Sequence, residues 1–429
     1  MYSHSGQTLN KYYDIVVVGG GMVGLSMLHM VAKAMPTRSI CLIEAYALDS
    51  FNSDEAHGSA GTYQPSFDDR STAVSSNSAE IFDELGLWST IKHHVTPINK
   101  VSVTDRGHIG SAHYSQSDNG NKALGFVVEN KWLGSQLIGN LPSSDSICLL
   151  APARVDSVRP SKLGATLSIN CNDEVHHVSA SLVVLADGAN SPLREKLGIA
   201  MEAHDYQQAA VIANVEYSEG HQCVAHERFT ENGPLALLPL GEQPSVRISA
   251  LVWTTPMAKV NEVLEWSDTE FLAQLQGAFG YRLGIFKRVG VRNHYPLKLM
   301  LAKEQVRSGI VLMGNAAHFL HPVAGQGFNL ALRDCAQLVA VLVQAHNAGA
   351  ALGDIHWLQH YVELQENDQW LTTSISHNFN RVFSSRRPAL QLVRNLGLLS
   401  LDVMAPARQL FFDQMMGKGG RKVRMQRAK

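Results

Sequence analysis

The sequence predicts an α/β protein in which a parallel-sheet domain is interleaved with an antiparallel-sheet domain and followed by a helical C-terminal region. Three observations predict it. Short apolar runs at 15–18, 181–186 and 310–313 each meet a glycine turn and then a helical pattern, the mark of buried parallel strands. Between the second and third runs, residues 209–253 alternate polar and apolar with no helix between them, as consecutive antiparallel strands do. Beyond Asp334 the pattern is largely helical.

The first unit runs from Asp14 to Glu44. A strand over 15–18 leads into Gly19, Gly21 and Gly24, which fit G-x-G-x-x-G, then a buried helix over 22–35 and a strand over 39–43. Such glycines allow a tight turn, close approach to a pyrophosphate and tight helix–strand packing. Glu44, twenty residues after Gly24, can bind the hydroxyl pair of an adenosine ribose. An acid there suits an unphosphorylated ribose, and the motif alone does not separate NAD from FAD. Residues 45–66, rich in Ser, Asp, Gly and His, read as a surface loop. Arg70 can pair with an acid at a helix start. An amphipathic helix is expected over 78–87, strands over 101–103 and 125–129, a helix over 131–138 and an antiparallel ribbon over 149–170. The strand at 181–186 meets Asp187, Gly188 and Ser191, an acid, a turn and a helix cap that make sense as a second edge of a dinucleotide cleft.

Strands over 211–215, 223–230, 235–240 and 246–253 imply a sheet with one face free to cover a ligand. Phe229, Leu238, Pro239 and Trp253 are the candidates for that face. A helix over 269–279 and a run at 291–297 lead to the stretch that organises the chain, 310–334. There a strand is broken by Gly314 and Asn315, a loop carries Pro322, Gly325, Gln326 and Gly327, and a helix resumes at Phe328 with Asn329 behind it. The loop lies at a helix N-terminus, where unpaired N–H groups and the positive dipole end favour an anion. Glycines let its backbone approach a flat ligand. His318 and His321 have no evident third ligand, so no metal is expected. Helices are expected over 335–346, 357–370 and 395–416, the last interrupted by Pro406.

At 429 residues the chain is long enough for two joined domains. With 36 basic and 38 acidic residues, a net charge of −2 gives no general pull toward nucleic acid. Five scattered cysteines without a C-x-x-C point to a reducing compartment with neither disulfides nor a thiol redox centre. Residues 1–14 lack a basic region followed by an apolar core, so no secretory signal is read there. Residues 15–32 are uncharged, but their four glycines argue for a buried βα unit over a membrane span. The apolar 395–416 segment precedes a tail, 417–429, with six basic residues and no acid. It packs on the body or meets an anionic lipid surface, and both readings stay open.

Gly19, Gly21 and Gly24 with Glu44, Ala186-Asp187-Gly188 with Ser191, and Gly314-Asn315 through His321-Pro322-x-x-Gly325-Gln326-Gly327-x-Asn329 resemble the three ordered motifs of the FAD-dependent aromatic hydroxylases, the para-hydroxybenzoate hydroxylase group. Phe67-Asp68-Asp69-Arg70, Thr104-Asp105-Arg106-Gly107-His108, Glu227-Arg228-Phe229-Thr230, Gly233-Pro234-Leu235-Ala236 and the run from Ala324 to Leu330 resemble its ubiquinone-biosynthesis branch, over about 13–408. The resemblance implies a Rossmann-like FAD-binding domain over 12–75, 98–195 and 290–348, a substrate domain over 76–97 and 196–289, and a helical region with its basic tail over 349–429. FAD would be held by Gly19, Gly21, Gly24, Glu44, Arg70, Asp187, Gly188, Gly314, Asn315, Phe328 and Asn329. NAD(P)H would be a transient co-substrate, in keeping with the lack of a second G-x-G-x-x-G.

In the mechanism the resemblance implies, NAD(P)H reduces FAD, O₂ gives a C4a-hydroperoxide, and its distal oxygen passes to a polyprenylated methoxyphenol. N–H groups near Gly325, Gln326 and Gly327 would stabilise negative charge at flavin N1 and O2, and Pro322 would shape the wall near C4a. Asn315 departs from the group's usual Gly-Asp pair and brings no charge. No catalytic base is identified by the sequence. The alternatives are hydroxylation of another ring position or of a small phenol, and a flavin-containing assembly subunit with mainly structural FAD. The expected location is the cytoplasm, with peripheral contact on the inner face of the cell membrane and partners in a multi-enzyme ubiquinone-biosynthesis complex among the readings.

Overall fold

The computed structural model describes residues 9–48, 70–106, 111–120, 122–161, 164–320 and 325–383, together with Gln409 and Phe412. Phe67 to Asp69, Gly107, His108, His321, Pro322, most of the 45–66 loop, the 395–416 helix apart from those two residues, and the basic tail lie outside the described residues.

Five short apolar strands, buried on both faces, can only pair inside the protein, and they do so in parallel. Tyr12–Val18 lies between Ile40–Ile43 and Glu174–Leu185, with Ile147–Leu150 and Ile310–Leu312 beyond them. Met22–Ala34 and Gln326–Asn347 cover one face through Leu25, Met27, Leu332 and Val339. The opposite face packs on an antiparallel ribbon, Arg154–Ser161 and Gly164–Cys171, that continues from Glu174–Leu185. The ribbon expected over 149–170 is therefore shifted: Leu149 and Leu150, buried like their neighbours, belong to the parallel sheet.

The large sheet runs in the order His318–Phe319, Asn293–Ala302, Met201–Tyr217, Ile248–Pro256, Gly233–Leu240, Val224–Thr230, Lys100–Asp105, Ser111–Ser115, with Phe286–Val289 also on Met201–Tyr217. Its central strands are antiparallel, as expected, whereas Lys100–Asp105 joins Val224–Thr230 in parallel. Lys100–Asp105, Ser111–Ser115 and Asn293–Ala302 thus belong to the large sheet, although the sequence reading put 98–195 and 290–348 with the other domain. Pairing between strands so far apart in sequence leaves no local signature.

Alternation divides the sheet's faces. Val211, Leu235, Leu237, Leu251 and Trp253 lie under the Asp268–Phe279 helix, against Phe271, Leu275 and Phe279. The residues between them turn the other way, toward a small third sheet of Ser71–Ser75, Gly125–Glu129 and Val95–Ile98 and toward the start of Gln326–Asn347. Gly325, at φ +62°, takes the cap position of that helix, which begins at Gln326 rather than at Phe328. Ile355–Phe383 packs along it through Arg333, which donates to the two Asp368 oxygens at 2.7 and 3.1 Å.

Candidate active site

The carboxyl ends of the parallel strands gather the nucleotide motifs, the side on which open α/β sheets bind ligands. Gly19 N–H donates to the Ile43 carbonyl at 2.8 Å and Ala186 N–H to the Val18 carbonyl at 2.8 Å. A Cβ on Gly24 would lie 1.8 Å from the Gly19 carbonyl oxygen, and one on Gly19, at φ +103°, 2.4 Å from the Ala186 carbonyl oxygen. These two glycines serve close packing of the helix and strands. Gly21 takes the cap position of Met22–Ala34, and having no side chain it makes no cap bond to the first-turn N–H groups of that helix.

Glu44 follows the second strand. One carboxylate oxygen accepts the Gly20 N–H at 2.5 Å and the other the Tyr46 N–H at 2.9 Å, while burial pushes its pKa up. Asp187 accepts the Ser191 hydroxyl at 2.7 Å, and burial raises its carboxyl as well. Its second oxygen is buried without a hydrogen-bond partner among the described residues, and Gly188 beside it, at φ +92°, has open space where a Cβ would stand. An acceptor left open beside a bare backbone turn fits a hydroxyl-bearing cofactor. Gly314, at φ +59°, brings its turn against Val23, where a Cβ would meet both methyl groups within 3.2 Å.

A cavity of about 1060 Å³ extends from this edge to the large sheet. Met22, Asn315, Gly325, Gln326, Gly327, Phe328 and Asn329 line it on the helix side; the 19–24 turn reaches it through Met22, while Gly19, Gly21, Gly24, Glu44, Asp187, Gly188 and Gly314 are not among its lining residues. Gly327 has open room where a Cβ would stand. Arg70 also lines it, its guanidinium 4.5 Å from the centre of the Tyr295 ring. Asn329, however, is engaged by the protein backbone: its oxygen accepts the Ser75 N–H at 2.8 Å, and its nitrogen donates to the carbonyls of Ala73 and Gly325, each at 2.8 Å. It braces the loop, and its amide is not open to a cofactor. The Phe328 ring likewise stacks on Phe82 at 6.4 Å.

Opposite, the wall is the free face of the large sheet, with Ile212, Ala236, Leu238, Ala250, Val252 and Glu227. Leu238 is where the sequence placed it. Trp253 and Pro239 are not among the lining residues: Trp253 lies one residue out of phase, on the helix-covered face, and Pro239 shares the phase of Leu235 and Leu237. Phe229 has the right phase but is fully buried in a cluster with Val103, Tyr114 and Phe412. Bulk and aromaticity favoured those three in the sequence, whereas the face is built from small residues. Phase relative to Leu238 would have found Ala236; Glu227, across the register from Ala236, needed the strand pairing.

His318 is tied to Asp334, Nε2 to Oδ2 at 2.5 Å, in a buried pair whose other carboxylate oxygen accepts the amides of Gln365 and Gln369. Among the described residues no cluster has the makings of a metal site. At the far end Phe412 stacks on Tyr114 at 4.7 Å and lines the cavity.

The FAD-binding domain family matches residues 12–357. A ubiquinone hydroxylase of Rhodospirillum rubrum is 34% identical over 95% of this chain and 90% of its own length. The 3-demethoxyubiquinol 3-hydroxylase of Escherichia coli is 28% identical over 92% of this chain and 95% of its own. In fold, the p-nitrophenol 4-monooxygenase of Pseudomonas putida superposes with a TM-score of 0.74 at 18% identity, over 96% of this chain and all of that one. With a cleft whose glycine turns, open acceptor and helix N-termini suit a flavin nucleotide, this chain belongs to the FAD-binding monooxygenase family, in the group of the ubiquinone-biosynthesis hydroxylases.

Proposed function

We propose that the protein hydroxylates the ring of a polyprenylated methoxyphenol in ubiquinone biosynthesis, using FAD, NAD(P)H and O₂, with a 2-octaprenyl-6-methoxyphenol as the substrate the sequence resemblance favours. The observation that carries the reading is the continuous cavity between the Gly325–Phe328 backbone and a sheet face of Ala236, Leu238, Ala250, Val252 and Ile212. Small apolar side chains leave room for a flat ring and suit an isoprenoid tail. FAD, when bound, carries electrons from NAD(P)H to O₂ and supplies one oxygen atom to the ring. Around it, the chain's first-turn N–H groups and helix dipole favour an anionic ring edge, Asn329 fixes that turn, and the apolar face keeps water away. The Gly19–Gly24 turn, Glu44 and Asp187 are proposed to hold the adenine nucleotide.

The test is turnover with a panel of polyprenyl phenols under ¹⁸O₂. Phenol should accelerate NAD(P)H oxidation and leave as product with one labelled oxygen. Bound FAD whose NAD(P)H oxidation ignores every phenol, with no labelled product, would instead support the assembly-subunit reading.

Contact with the cytoplasmic face of the membrane is also proposed. Residues 281–292 carry Arg282, Lys287, Arg288 and Arg292 with no acid, interleaved with exposed Tyr281, Ile285 and Val291. Val291, 82% exposed, and Gly290 are also part of the cavity lining. A basic, apolar rim at the cavity suits collection of a lipid-borne substrate from an anionic bilayer.

A further inference from the structure

We infer that Glu227 takes the phenolic proton of the substrate during ring hydroxylation, an inference that rests on the phenol reading above. Glu227 stands in Val224–Thr230 on the cavity face, in phase with Ala225 and Phe229. Across the sheet its neighbours are Val103 on one side and Ala236, Val252 and Ile212 on the other. A carboxyl thus sits in a strip of hydrocarbon.

Its residue is 8% exposed, and its side chain makes no hydrogen bond or ion pair with any described residue. Buried Asp334 and Glu44 differ: Asp334 has His318 and two glutamine amides, and Glu44 has two backbone N–H groups. A buried carboxylate without a donor is unfavourable unless a ligand brings one. A phenol O–H does so. Burial alone pushes the Glu227 carboxyl up to about 7, which suits exchange of a proton at neutral pH. Asp105 lies on the same face beside Phe229, Arg70 and Glu129 lie elsewhere on the cavity wall, and His226, also among the lining residues, has its ring against Phe279 at 5.6 Å.

The step balances with the reactants already named. The phenolic O–H bond breaks, its proton goes to a Glu227 carboxylate oxygen, and the electron pair stays on the phenolic oxygen, enriching the ring carbon that is to be oxygenated. Once that carbon has gained one oxygen atom of O₂, the other being reduced by NAD(P)H and leaving as water, the hydrogen of that carbon is lost to solvent as a proton. Glu227 then returns its proton to the ring oxygen and is a carboxylate again. NAD(P)H is the reductant and O₂ the oxidant.

The experiment compares holoenzyme as wild type, Glu227→Gln and Glu227→Asp, each checked for bound FAD by its visible spectrum. Oxidised protein without NAD(P)H is titrated with a short-tailed prenyl methoxyphenol in two buffers of different ionisation heat. A carboxyl half protonated near pH 7 must shed its proton to accept the phenol's, so wild type should release about half a proton at pH 7 and close to none at pH 9. Glu227→Gln should release none. In turnover it should also give on the order of a hundredfold less product per NAD(P)H and lose the rise in rate near pH 7, with Glu227→Asp keeping part of both. Equal proton release by wild type and Glu227→Gln, or an unchanged pH profile, overturns the inference alone. Failure of wild type to bind any phenol overturns it together with the reading it rests on.

Discussion

Holding Glu227 in an apolar strip weakens the fold in a pH-dependent way. A folded pKa of about 7, against 4.5 in solvent, means that the native state keeps an extra proton between those values. The stability it contributes is intact below 4.5 and is lost as pH rises through 7. The difference amounts to about 3 kcal/mol at most. Glu227→Gln should therefore raise Tm at pH 8 by about 3 °C and leave it nearly unchanged at pH 4. Calorimetry at the two pH values decides it; a gain of the same size at both would mean that the carboxyl is not dehydrated. The same residue marks how far sequence reasoning reached. Its motif was legible, but a wall position is a matter of phase and register, and Trp253 was misplaced for that reason while Leu238 was not.

Among the elements, Gln326–Asn347 has the most exacting start. Its first turn faces the cavity, and Asn329 ties it to Ser71–Ser75 by two hydrogen bonds, one accepted from the Ser75 N–H and one given to the Ala73 carbonyl, with a third given to the Gly325 carbonyl at the helix cap. Asn329→Asp would keep the bond from Ser75 N–H but set a carboxylate oxygen against the carbonyls of Ala73 and Gly325. The expected loss is about 2–4 kcal/mol at pH 8, with weaker FAD retention and partial recovery in acid, where the protonated group donates once. Denaturant titration and the flavin absorbance of gel-filtered protein measure both; unchanged values would show the brace to be dispensable. The G-Q-G-x-N spacing told where the helix begins to within two residues. It could not tell that the asparagine serves the backbone, because its partners at Ala73 and Ser75 are supplied by a strand from the other end of the chain.

For the molecule as a whole, the large sheet, the small third sheet and the start of Gln326–Asn347 meet around one chamber. The βα unit at 12–44 and the run at 310–334 were legible because their signals are local, apolar strands closed by glycine. The membership of Lys100–Asp105 and Asn293–Ala302 in the large sheet was not, since those strands take their place from partners distant in the sequence. At this scale belongs the membrane reading of 281–292. Val291→Asp with Lys287→Glu should weaken co-sedimentation with vesicles containing phosphatidylserine at low salt, with FAD content preserved; undiminished sedimentation rejects it.

Phe412 gives the chamber an order of manufacture. Tyr114 is made long before Phe412, the ring that stacks on it. A nascent chain can thus form its nucleotide turns while this wall is still missing, and the wall is complete only once Phe412 has been made.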